Sequence, residues 1–140
     1  MSPRGWVVAA GLAGLAVVAV GIGRGVAETS VRTVEIEIHY SHFMPAVLTV
    51  PAGVPIRFVV VNTDPIDHEW IVGDAAVHEQ HRNGTEARHG ERPTEQSIGA
   101  GQTVETEVTF ASPGTLTYVC HLPGHEAYGM VGTLVVIPND

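Results

Sequence analysis

Short alternating or β-branched stretches divided by Gly and Pro turns predict an all-β fold, a sandwich of two sheets. Three observations carry this. Val34, Ile36 and Ile38 alternate with Thr33, Glu35, Glu37 and His39. Val104, Val108 and Phe110 share one face of a second alternating run at 103–110. Beyond the N-terminal leader no segment carries a long helical period, and period two is the mark of a half-buried strand.

Taken in order, the chain opens on an apolar leader. Residues 5–23 hold no charge and are mostly Val, Ala, Leu and Gly. As a helix this run would be about 28 Å long, close to the hydrocarbon thickness of a bilayer. It reads as a membrane anchor, or as an export signal cut at the small residues Gly25, Val26 and Ala27. Residues 1–27 are therefore set apart as signal or anchor, and 31–138 as the folded domain. Either way the domain is expected to work outside the cytoplasm, periplasmic or on the outer face of the membrane.

The first alternating strand is followed by 47–50 and by a Pro51, Ala52, Gly53 turn. Residues 56–61 form a β-branched run suited to a buried strand, and Asn62 to Asp67 is turn chemistry around Pro65. A short strand is expected at 69–72. Residues 74–101 then form a polar loop rich in His, Glu, Arg and Gly, longer than sandwich connections usually are, with a helical turn expected near 75–81. After the run at 103–110, Ser112, Pro113 and Gly114 turn the chain into a strand at 115–120, and 130–137 closes the domain.

Composition narrows the function. At 140 residues the chain is one domain, expected to be a monomer. Its formal charge is −8 and its 7 Lys and Arg are scattered, so a surface that tracks a nucleic-acid backbone is not expected. The single cysteine, Cys120, excludes an internal disulfide. An unpaired thiol outside the cytoplasm tends to oxidise, so its presence calls for dimerisation, deep burial or metal ligation.

Ligation also explains the neighbours. Cys120 opens the run CHLPGHEAYGM, which places a thiolate, the imidazole of His125 and the thioether of Met130 close together. His68, in NTDPIDHEW, follows a core strand and is placed to join them. Two His, one Cys and a weak axial Met make a mononuclear copper site of the blue type, a compromise geometry that favours neither oxidation state. The metal ligands expected are thus His68, Cys120, His125 and Met130, with one Cu(I)/Cu(II) ion per domain.

Here the chain resembles the cupredoxin family of small blue copper proteins. Four residues separate Cys120 from His125 and four separate His125 from Met130, a spacing similar to the auracyanin and rusticyanin branches rather than plastocyanin. The segment FMPAVLTVPAGVPIRFVVVNTDPIDHEW is also similar to the family's first half. The resemblance implies a Greek-key β-sandwich, a type 1 copper and electron transfer to redox partner proteins by transient docking. Glu69 departs from the Asn or Ser that many members carry after the first ligand histidine, so the reduction potential does not carry over.

Two other functions compete. A copper chaperone or buffer of the cell envelope would use the surplus histidines, and accessory metal binding among His39, His42, His78, His81 and His89 is the feature that favours it. An enzyme such as an oxidase would need a second, substrate-accessible copper, which one short domain does not suggest. His121 follows Cys120 directly, but Val119 occupies the other flank and no His-x-His pair occurs, so His121 is expected at the surface.

Overall fold

A computed structural model describes residues 31–84 and 88–139. Nine strands and one short helix make up the described residues: β1 (Arg32–His39), β2 (His42–Met44), β3 (Val47–Pro51), β4 (Pro55–Asn62), β5 (His68–Gly73), α1 (Ala75–Arg82), β6 (Glu95–Ile98), β7 (Thr103–Thr109), β8 (Gly114–Val119) and β9 (Val131–Ile137). One sheet has the order β2-β1-β4-β7 and the other β3-β9-β8-β5-β6. β1 runs parallel to β4 and β3 parallel to β9, while the remaining pairs are antiparallel.

Side chains of the predicted strands fill the space between the sheets. Ile36 and Ile38 of β1, Ile56, Phe58 and Val60 of β4, and Leu134 and Val136 of β9 all join one buried cluster. Each such side chain, fully covered, stabilises the fold by about 1.5–3 kcal/mol. Trp70 and Phe110 both pack on Phe58, with ring centroids 4.9 and 6.2 Å away. Offset and edge contacts of this kind suit aromatic quadrupoles.

Two elements differ from the sequence reading. β2 has three residues and is separated from β1 by only two, too short for a periodic signal. β6 lies inside the segment expected as a polar loop, because Glu95 and Gln96 are buried polar residues that no hydrophobic pattern reveals. Asp74 caps α1 through its carboxylate, which accepts from the amides of Ala76 and Val77 at 3.0 Å each. The leader at 1–27 lies outside the described residues. Among the described residues, no helix is long and apolar enough to cross a membrane.

Candidate metal centre

Strand register brings the site together. β5 and β8 are antiparallel with Ile71 opposite Val119, so His68 at the start of β5 and Cys120 just past β8 reach the same end of the sandwich. β9 pairs with β8 from Val131 opposite Val119, which returns Met130 to that end, and the Cys120 amide donates to the Met130 carbonyl at 3.2 Å. Residues 121–129 close the loop in successive turns. The His125 amide donates to Leu122 O at 3.0 Å, and the Met130 amide to His125 O at 3.1 Å. Gly124 sits at φ +86°, a left-handed conformation that an L side chain strains.

Three donor atoms converge. His68 Nδ1 lies 3.2 Å from His125 Nδ1, and Cys120 Sγ lies 3.3 Å from the same nitrogen. His68 and Cys120 are buried and His125 is partly exposed. Met130 is fully buried beside them in sequence and backbone hydrogen bonding. The sequence-expected residues therefore occupy one pole, with His68, Cys120 and His125 forming a set able to hold one ion.

Hydrogen bonds fix each donor from behind. His68 Nε2 donates to Asp64 Oδ2 at 2.8 Å, which leaves the Nδ1 lone pair facing His125 and Cys120. Asp64 is itself held by the amides of Tyr40 and Ser41, each at 2.7 Å. Those two residues adopt φ of 49° and 55°, so consecutive N–H groups point at one carboxylate. Burial acts to raise the Asp64 pKa, yet the hydrogen bonds from Ser41, His68 and Tyr40 bring it below its ordinary value.

The sulfur accepts from the Glu69 amide at 3.3 Å. Burial raises the Cys120 thiol pKa to about 11, against the lowering by the Glu69 and Leu122 amides. Burial, then the neighbouring His68, lower the His125 pKa, which favours its neutral ring. A soft sulfur and two imidazole nitrogens at one point are the donor set that suits copper.

The chain matches the copper binding proteins of the plastocyanin/azurin family over residues 31–137. It belongs to that family. Copper is accordingly the cofactor of this cupredoxin. Copper-resistant cuproprotein CopI of Rubrivivax gelatinosus is 33% identical, over 80% of this chain and 70% of its own length. CopI of Pseudomonas aeruginosa is 27% identical over 76% and 77%. Auracyanin-B of Chloroflexus aurantiacus is 31% identical, covering 79% of this chain, which spans only 54% of that relative. Among solved structures, reduced auracyanin of Roseiflexus castenholzii superposes with a TM-score of 0.65 at 25% identity, covering 76% of this chain and 97% of that one. A multicopper oxidase, mgLAC, shares the fold alone, at 22% identity and a TM-score of 0.57, over 78% of this chain and 39% of the oxidase.

Other expectations meet mixed outcomes. His121 is not at the surface. Its side chain is 4% exposed, and its Nε2 lies 3.0 Å from His78 Nδ1, because α1 folds back over the end of β8. His39 and His42 bond instead to Thr63 and to the Tyr40 carbonyl. Tyr128 is 78% exposed beside His125, whereas Phe43 and Trp70 are core. Sequence reasoning missed Asp64. Its signal was its place four residues before His68 in the turn NTDPIDH, where it lies within reach of the ring.

Proposed function

We propose that the protein is an exported blue copper protein that carries single electrons through a type 1 centre ligated by His68, Cys120, His125 and Met130, and that it is not an enzyme. The carrying observation is that His68 Nδ1 and Cys120 Sγ each stand within 3.3 Å of His125 Nδ1. Bound copper would supply the Cu(II)/Cu(I) couple. The chain's part is to keep donor positions constant between the two states. Asp64 orients His68, the Glu69 amide orients the sulfur, and the turns at 122–130 hold His125 and Met130. A frame that is fixed before the electron arrives leaves little to reorganise.

His125 is the partly exposed member of the set, so transient redox partners would dock at that pole, beside the exposed Tyr128. The acidic balance of the chain favours a basic patch on the partner. Action outside the cytoplasm, as a monomer, completes this reading.

The CopI relatives favour a second reading, a copper chaperone or buffer of the cell envelope. Exchange separates the two. Copper-loaded protein is cycled with a chemical reductant and oxidant in the presence of a competing Cu(I) chelator. A carrier keeps its copper and its colour through many cycles. Transfer of the metal to the chelator within the first cycles contradicts the carrier and supports the chaperone.

A further inference from the structure

A second group of ligating side chains gathers behind the copper loop, in a cleft of about 610 Å³ whose lining includes Glu69, His81, His89, Glu95, His121 and Leu122. Donor atoms of His81, His89 and Glu95 all lie within 4.8 Å of one another. Glu95 Oε2 is the common point, 3.6 Å from His81 Nε2 and 3.7 Å from His89 Nδ1. Its other oxygen accepts from Arg92 Nη1 at 3.0 Å, which fixes the carboxylate in place. The two rings stand 5.0 Å apart at 51°.

Hydrogen bonding decides which way His81 faces. Its Nδ1 lies 2.8 Å from the Val77 carbonyl, which can only accept, so Nδ1 carries the proton. In the neutral ring, Nε2 then presents a lone pair to Glu95 Oε2. Two acceptors facing each other need a cation between them, either a proton on the ring or a metal ion. His89 fits the same logic. Its Nε2 lies 3.6 Å from Glu69 Oε1, so a proton there leaves Nδ1 turned to Glu95, with a carboxylate behind the imidazole as metal-binding histidines have.

We infer that His81, His89 and Glu95 form a second metal site, for a divalent ion of the Zn(II) or Cu(II) class. Bonds of about 2.0–2.1 Å in a tetrahedral set put donors about 3.3 Å apart, so the two Glu95–histidine distances of 3.6 and 3.7 Å need to close by only a few tenths of an ångström. Among the described residues these three are the protein ligands of the set, and a fourth position would face the cleft. The site adjoins the copper centre through Glu69, whose amide holds the Cys120 sulfur and whose carboxylate backs His89.

The test uses the full chain loaded with copper. It is incubated with excess Zn(II) and desalted, and copper and zinc are then counted separately per chain. The wild type is expected to hold one zinc in addition to its copper. His81→Ala and His89→Ala should each lose the zinc and keep the copper, and His39→Ala/His42→Ala should keep both. Glu95→Gln, nearly isosteric and still able to accept from Arg92, should also lose the zinc, and it decides the matter if either alanine variant misfolds. Absence of zinc from the wild type, zinc retained by Glu95→Gln, or zinc lost only with His39 and His42 would overturn the assignment.

Discussion

His68 offers a lone pair to the metal only while Asp64 holds the opposite ring nitrogen. Both carboxylate oxygens accept from N–H groups, of Tyr40 on one side and of Ser41 and His68 on the other. Asp64→Asn therefore sets an amide donor against at least one of these donors, whichever way the side chain turns. Copper affinity should fall by about 10–100-fold, measured by chelator competition, as is usual for groups behind a ligand. Unchanged affinity would mean that His68 is held by packing alone. At Cys120, a thiol pKa of about 11 keeps the metal-free site protonated at neutral pH. Copper binding must displace that proton, so apparent affinity rises with pH, by about tenfold per unit below the thiol pKa. A weakly buffered titration should record the released proton, and no release would contradict thiolate ligation. Met130→Leu should keep the visible colour and raise the reduction potential, since an axial donor that favours Cu(II) is lost. An unchanged potential would remove Met130 from the ligand set.

Among the elements, the β8–β9 pair is the one on which the copper loop depends, because it brings Cys120 and Met130 side by side. Its packing is tight at one position. A Cβ added to Gly132 would fall 2.1 Å from ring atoms of Tyr118, which is fully buried and donates from its hydroxyl to the Pro45 carbonyl at 2.6 Å. Gly132→Ala should cost about 1–3 kcal/mol by overpacking, read by chemical denaturation. A neutral result would show that the Tyr118 ring shifts freely. This contact joins residues fourteen apart in the chain, and no periodicity foretells it. β1 and β7 were legible because alternation reports burial directly, and β4 because a β-branched run suits a buried strand. β6 was not, since its buried Glu95 and Gln96 gain their partners from α1 and from the residues just before the strand.

For the molecule as a whole, one end of the sandwich gathers most of its chemistry. The candidate donors could be named from the sequence because three of them sit in a single run of the chain and the fourth follows a strong strand, and the fold brings His68, Cys120 and His125 together. The cluster behind them was legible only in part: His81 and His89 were among the surplus histidines, but Glu95 and the pairing of these two rings come from a helix, a connection and a short edge strand that only the fold assembles. His121 was misread for a related reason, as its burial comes from α1 rather than from its own strand. The account rests on the sulfur of Cys120 and the rings of His68 and His125 sharing one copper ion. Its most direct test is the visible absorption and electron paramagnetic resonance spectrum of the copper-loaded, oxidised chain beside Cys120→Ser. An intense sulfur-to-Cu(II) charge-transfer band, lost in the variant while the β-fold persists, is the predicted result. A wild type that binds copper and stays colourless would contradict it.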